Sequence, residues 1–353
     1  MTPEASGEVE SPGGRRRHRR VSMVDVARLA GVSAQTVSRV STGHPGVVAT
    51  TRQQVLAAMH QLGYRPNSAA RALKNGEFRT IGVIMFTLAS TGNSRTLEAI
   101  ASHAANEGYA ITLIPVATPT RDGVLGAFTR LGELAVDAVI IVMEVHLLDV
   151  ATITLPPGGH VVVVDSDAGD RYPVVDTDQT DGARQAVQHL LDLGHRTVWH
   201  VAGPPESFAA ERRAAAWRSV LAAAGRPVPP LHRGDWSAEA GYRAGLVLAD
   251  EPDCTAVFAG NDQMALGLQR AFHDRGRVVP RDISVVGFDD IPDSGSFIPP
   301  LTTVHQDFAE VGRRCVLNTL RQIRNEPAEP GITLVPTRLV VRRSTAPPPG
   351  PGA

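Results

Sequence analysis

The chain is poor in several things that commonly announce a function. It has two cysteines, Cys254 and Cys315, far apart and without metal-ligand spacing, which argues against both a disulfide framework and a zinc site. No run of about 18 apolar residues occurs, so no membrane-spanning helix is expected. Residues 1–20 hold no apolar core of the signal-peptide kind and end in arginines, which points to a reducing, cytoplasmic setting. Catalytic signatures are missing as well: there is no Gly-x-Gly-x-x-Gly after a strand, no phosphate-binding loop, no His-Glu-x-x-His and no Gly-x-Ser-x-Gly elbow. No catalytic residue, cofactor or metal is therefore expected.

Net charge, at −1, is small because two regions cancel. Residues 1–76 carry 11 Lys and Arg against 4 Asp and Glu, and the remainder 24 against 32. A basic head on an acidic body implies that the head meets a polyanion. A solvated basic tail would explain Arg15, Arg16, Arg17, Arg19 and Arg20, but not the pattern that follows them. At roughly 150 residues per domain the length allows two or three units. A hydrophobic content of 42% is ordinary for a chain able to bury a large core.

Residues 1–20 lack apolar periodicity and read as a disordered basic tail. From Ser22 to Leu62 the period is helical, in three short segments. From Thr80 onward short apolar runs at 80–86, 110–116, 138–143, 160–165, 197–202, 255–260 and 283–289 alternate with amphipathic helical stretches. Such strands belong to parallel sheets covered on both faces, and there are enough of them for two doubly wound lobes. The Pro/Gly-rich end, 346–353, is expected to be frayed and contains no leucine heptad.

Ser22-Met23-Val24-Asp25 has the form of a capping box that starts a helix running to Ala30. Gly31 can end it by taking positive φ, and Ser33 can cap a second helix over 34–40. Two short helices joined by a Gly-containing turn make a helix-turn-helix or, in a blander reading, a helical hairpin with no DNA role. Val26, Ala27, Leu29, Ala30, Val32, Val37 and Val40 form the expected inner side. Ala34, Gln35, Ser38 and Arg39 would face outward at the start of helix two, where base edges are read.

The string from Met23 to Val40 closely resembles the signature of the lactose-repressor (LacI/GalR) family. Gly63-Tyr64-Arg65-Pro66-Asn67-Ser68-Ala69-Ala70-Arg71-Ala72-Leu73 resembles the end of that family's third helix and its hinge. The resemblance implies DNA contacts from Ser22, Met23, Ser33, Ala34, Gln35, Thr36, Ser38 and Arg39 in the head. Gln35 and Arg39 would reach base edges, while Ser33, Thr36 and Ser38 would hold phosphates. It also implies a hinge helix contacting DNA through Asn67, Ala70 and Leu73, with Leu73 wedging a minor-groove step. So short a helix is marginal in isolation and would form on DNA. Leu73 could instead be a linker residue packing on the body. Where the family opens its third helix on a serine cap, Val48 stands here, followed by Thr50 and Thr51, so the start of that helix is expected to shift.

The resemblance extends over roughly 22–344 and implies the fold of periplasmic sugar-binding proteins: two lobes, a ligand in the cleft, and three chain crossings. The domains expected are a tail, 1–20; a helix-turn-helix head, 21–66; a hinge helix and linker, 67–78; a ligand-binding and dimerisation body, 79–345; and a tail, 346–353. Asp165, Arg213, Asn261 and Asp289 fall at strand ends, loops or helix starts, where open α/β sheets bind ligands. Together they offer the donors and acceptors that sugar hydroxyls need. Trp236 and Phe308 would supply flat apolar faces, and Leu88 matches an apolar pocket position.

Structural alternatives stand beside these. Trp236 could be core, and Arg213 could pair with Glu211 at the surface. Asp165, at the edge of an apolar strand, needs a partner. Asp262 and Asp290 read as caps or turns, and His195 and His305 as loop residues. Thr177 departs from the pattern that the resemblance implies, which has an aromatic near this point. The sugar is thus open between a β-galactoside and another glycoside or disaccharide. The function implied is a homodimeric, nucleoid-associated repressor of carbohydrate-utilisation genes, released from palindromic operator DNA by a sugar. A purine corepressor on the same fold and a transport-type solute-binding protein are the alternatives. A glycosidase built on Asp165 and Asp289-Asp290 lacks any sign of the required carboxylate separation.

Overall fold

The computed structural model describes residues 21–42, 44–64, 76–116, 121–142, 159–166, 172–326 and 331–350. The chain divides into two compact units, Met1–Glu77 and Phe78–Ala353. The hinge residues Asn67, Ala70 and Leu73 lie outside the described residues, as does the basic tail 1–20.

The first unit holds α1 (Met23–Ala30), α2 (Ala34–Ser41) and α3 (Ala49–Leu62) around a small core of Val26, Ala27, Val37, Val40, Val55, Ala58 and Met59. Sequence and structure agree on α1 and α2 and their caps. They differ at two places. Leu29, expected on the inner side, is 45% exposed, because the core is already closed by Val26 and Ala27 on the facing side of α1. The third helix does not shift: Val48 itself takes the N-cap position with extended geometry, and no side chain caps the first turn.

Among the described residues the second unit contains two six-stranded sheets. Lobe 1 is ordered β11-β5-β4-β3-β1-β2 and lobe 2 β12-β10-β9-β8-β6-β7. In lobe 1 these are β1 (Thr80–Met85), β2 (Ala110–Pro115), β3 (Ala138–Val142), β4 (Val161–Val164), β5 (Val174–Thr177) and β11 (Ile332–Val335), all paired in parallel. Lobe 2 holds β6 (Trp199–Ala202), β7 (His232–Arg233), β8 (Ala256–Ala259), β9 (Ser284–Asp289), β10 (Thr302–His305) and β12 (Arg338–Val340); only β12 runs antiparallel. The seven apolar runs expected as strands are all strands. The five not anticipated, β5, β7, β10, β11 and β12, are short: β5 ends in Asp-Thr, β10 is a four-residue strand inside its sheet, and β7, β11 and β12 sit at sheet edges, where some of their side chains meet solvent.

Helices cover both faces, as parallel sheets require. They are α4 (Thr91–Asn106), α5 (Arg121–Glu133), α6 (Gln179–Asp192), α7 (Phe208–Ala223), α8 (Ala238–Ala249), α9 (Asp262–Asp274) and α10 (Phe308–Ile323). The chain crosses between lobes three times. It leaves β5 for α6, which packs in the lobe 2 core through Ala183, Val187 and Leu190. It leaves β10 for α10, which buries Val311, Cys315, Val316 and Leu320 in lobe 1. It passes finally from β11 to β12.

Two further expectations are corrected. His195 is a core residue, 1% exposed, whose ring bonds Thr255, Ser284 and the carbonyl of Ala346. For the same reason the C-terminal segment does not fray at 346: the Ala346 amide donates to Ser284 Oγ at 3.0 Å. His195 and Ser284 thus tie the end of the chain to lobe 2.

Helices α8 and α9 pack backbone against backbone through glycines. A Cβ on Gly267 would fall onto the Ala238 carbonyl oxygen, and one on Gly241 onto the Met264 carbonyl. Gly267→Ala should therefore destabilise the body by about 2–3 kcal/mol, the usual scale of overpacking; urea denaturation measures it, and a loss under about 0.5 kcal/mol would contradict the contact. His200 offers a pH test. It is stacked on Phe258 at 4.6 Å, with Nδ1 donating to the Phe258 carbonyl, and burial pushes its pKa down to about 3. Its unfolded value is about 6.5, so the unfolded chain binds the extra proton first and stability falls as pH drops below about 6.5 toward 3. His200→Phe should flatten that acid-side slope by up to about 1.4 kcal/mol per pH unit. Equal slopes in urea titrations from pH 7 to 4 would show that His200 is not held neutral.

Candidate functional site

In the head, the geometry starts with the caps. Ser22 Oγ accepts from the Asp25 amide at 3.3 Å while the Asp25 carboxylate accepts from the Ser22 amide at 2.9 Å. Gly31 ends α1 at φ 66°, a conformation that costs other residues more. Ser33 Oγ then accepts the Thr36 amide at 3.1 Å and also meets the Thr36 hydroxyl at 2.9 Å. The turn is fixed at both ends, so α2 is presented as a rigid piece. Ala34, Gln35 and Arg39 are exposed on it, Thr36 and Ser38 half-buried, while Val37 and Val40 turn inward. Ser22 is half-buried, and Met23 packs against the head's core.

In the body, the expected ligand residues converge on the carboxyl ends of both sheets. Arg213, 4% exposed on α7, donates from Nε to Gln179 Oε1 at 2.8 Å and from Nη1 to the Gly260 carbonyl, and lies 3.9 Å from Asp289. Its guanidinium stacks on Phe288 at 3.7 Å and faces Trp236 at 5.5 Å. The alternative of a surface pair with Glu211 is not what forms: Glu211 pairs with Arg233. Asp289 accepts from Gln306 Nε2 at 2.7 Å, and Gln306 in turn accepts from Gln179 Nε2 at 3.2 Å. Beneath this, Asp262 is fully buried and accepts from Thr303 Oγ1 and the Ile291 amide, which is the structural role expected of it. Burial and the neighbouring Asp289 hold its carboxyl well above the usual range. Asp290 likewise serves structure, accepting from Arg342 at 2.6 Å and meeting His305 Nδ1 at 2.9 Å.

Asn261 caps α9 through Met264 at 2.8 Å and donates its Nδ2 to the Trp236 carbonyl at 3.0 Å. It acts on Trp236 rather than into the cavity. Trp236 adopts φ 71°, and its ring lies over Gly203, where any Cβ would clash. Asp165, also at positive φ, finds the partner it needed in Arg212, at 3.5 Å.

A partly open cavity of about 60 Å³ sits between the lobes, lined by Asp165, Asp176, Gln179, Arg213, Gln306 and Phe308 among others. That is room for roughly two waters, and a sugar needs the side chains around it to give way. A second cavity of about 450 Å³ lies beyond Phe308 and Gln306, which line both. The structure does not bring Leu88 to either: it is 49% exposed in the loop after β1, its carbonyl bonded by Ser94. Trp236 and Asn261 stand behind Arg213 rather than on the cavity wall. Asp176, Gln179, Arg212 and Gln306 were not anticipated. Asp176 ends a Val-Val run as Asp165 does, and that repeated pattern was the available signal.

A capped helix-turn-helix head and a two-lobed α/β body with a polar cleft define a ligand-responsive regulator of transcription, not an enzyme. The comparisons agree. Residues 22–67 match the model of bacterial regulatory proteins of the lacI family, and 187–345 that of the periplasmic binding protein-like domain. The chain is 37% identical to the lactose operon repressor of Escherichia coli (strain K12) over 335 residues, 93% of this chain and 91% of that one. A lac repressor dimer bound to operator and the anti-inducer ONPF superposes with TM-score 0.81 at 35% identity, covering 93% of this chain and all of the other. The transcriptional regulator CelR in complex with cellobiose gives TM-score 0.69 at 29% identity, with 92% and 100% covered. The chain belongs to the lacI family of bacterial regulatory proteins and is a DNA-binding repressor of transcription.

Arg39, exposed one turn into α2, generates a test of base reading. Arg39→Ala should lower affinity for the specific site by about 1–3 kcal/mol and relax preference at one base pair, as binding selections on randomised duplexes would show. A uniform loss across all sequences would assign Arg39 to phosphate.

Proposed function

We propose that this repressor controls carbohydrate-utilisation genes and is released from its operator by a sugar held between the two lobes of its body. The reading is supported above all by the buried polar ring at the strand ends, Arg213–Gln179–Gln306–Asp289, with the Trp236 face behind it. Carboxylate, guanidinium and amide groups side by side supply the mixed donors and acceptors that a polyol requires. The likeness to the lac repressor and to CelR with cellobiose supports it further.

In this mechanism the protein is a homodimer on a two-fold operator, each head placing α2 in the major groove. Ser33, Thr36 and Ser38 position it on phosphates, Ser22 and Met23 also meet the DNA, and Gln35 and Arg39 read base edges beside Ala34. Asn67, Ala70 and Leu73 form the hinge contacts. Sugar opens the small cavity, meeting Asp165, Arg213, Asp289 and Phe308, and so shifts the lobes and the segment that leads to the heads. Sugar and operator then weaken each other's binding by one common factor. Among the described residues no helix is long and apolar enough to cross a membrane.

A gel shift on the duplex upstream of the protein's own gene, repeated with neutral mono- and disaccharides, tests this directly. One sugar should release the DNA, and Trp236→Ala should bind DNA as before yet lose the response. A chain that ignored every nearby promoter at low salt would defeat the proposal, and a sugar that tightened binding would reverse its sign.

A further inference from the structure

Arg212 is next to Arg213 on α7 but does something different. Its guanidinium reaches from lobe 2 to two carboxylates of lobe 1. Nη1 lies 3.5 Å from Asp165 and hydrogen-bonds Asp176. The arginine is braced by Phe208, whose ring centre is 5.6 Å away. Asp176 also accepts from the Thr177 amide at 2.7 Å, and its side chain is 3% exposed. Both carboxylates face the interlobe cavity, and Arg213 faces it from the other side.

The charge at this place can be counted. Asp289, off the wall of this cavity, pairs with Arg213 at 3.9 Å and offsets its charge, so among the described residues the wall carboxylates Asp165 and Asp176 face one remaining guanidinium, Arg212, which leaves one net negative charge. Burial lifts the Asp176 carboxyl to about 6 against the pull of Arg212, so it is mostly ionised at pH 7.5. Both cations are already engaged: Arg212 by two aspartates, Arg213 by Gln179, the Gly260 carbonyl and Asp289. An ionised carboxylate only accepts, so a hydroxyl group that donates is welcome here and an anionic oxygen is not.

We propose that the Asp165–Arg212–Asp176 bridge makes the effector cavity selective for uncharged sugars and closes it to anionic ones, sugar phosphates and uronates. The inference rests on the sugar reading above and narrows it to a chemical class. Arg212 acts as a positioning residue: it holds two acceptors a fixed distance apart while supplying too little charge to neutralise both. A unit charge about 5 Å from one net negative charge, at an effective dielectric near 20, is disfavoured by about 300-fold in affinity.

The test is calorimetric titration of the full-length protein at pH 7.5 with galactose, glucose and cellobiose, and with galactose 6-phosphate, glucose 6-phosphate and galacturonate. A neutral sugar should bind, and its phosphate and uronate at least about 100-fold more weakly. Asp176→Asn removes the one net negative charge and should bring that ratio close to one; Asp165→Asn is the second variant if the first fails to fold by circular dichroism. An anionic sugar that binds as tightly as its neutral parent overturns this inference alone. An unchanged ratio in a folded variant overturns it too. Binding of none of the six overturns the sugar reading and this one with it.

Discussion

Arg213 carries a full positive charge into a place with little water, and the cleft is arranged around what that charge needs. An unpaired buried cation costs several kcal/mol, so every donor direction of the guanidinium has to find an acceptor. Gln179 comes from the start of α6, the Gly260 carbonyl from the end of β8, Asp289 from the end of β9, and Phe288 lies flat beneath. These belong to segments far apart in the chain, and satisfying one residue fixes their relative positions. Gln306 extends the same ring to the second crossing between lobes. The groups that would meet a ligand are therefore those that hold lobe 2 and the chain leaving it in register, and a ligand can exchange with them one bond at a time.

Much of this was legible before any coordinates. Continuous apolar runs such as 80–86 and 283–289 can be strands buried on both faces and little else, and all seven of that kind are found. The caps of α1 and α2 were equally plain, since a hydroxyl or carboxylate placed at the start of a helical period has one obvious use. What escaped was information that exists only between distant segments. Asp176 and Arg212 lie in different lobes, and nothing local marks them as a pair. His195 looked like a loop residue because its partners, Thr255, Ser284 and Ala346, are far away in sequence. Leu88 followed the family pattern and yet stands half exposed, since the loop after β1 turns it away from the cavity.

The two units rely on different physics. The head has a core of a few small side chains, and its geometry is set largely by capping hydrogen bonds. Its third helix opens on Val48 without such a bond, so that end is the least secured of its helical starts. The body is held by close packing, most tightly where glycines let α8 and α9 touch.

The crossings of the chain between lobes also order its assembly. Lobe 1 is not a contiguous stretch: it lacks one covering helix, α10, and its edge strand β11 until nearly the whole body has been made. On the ribosome, β1 to β5 emerge with Ile81, Val83 and Val162 bare on the face that Val311, Val316 and Leu320 will later cover. At a synthesis rate of 5–20 residues per second, that face waits roughly 7–30 s for its lid. Lobe 2, whose six strands close soon after β10 except for β12, can mature first. Lobe 1 is thus begun first and completed last.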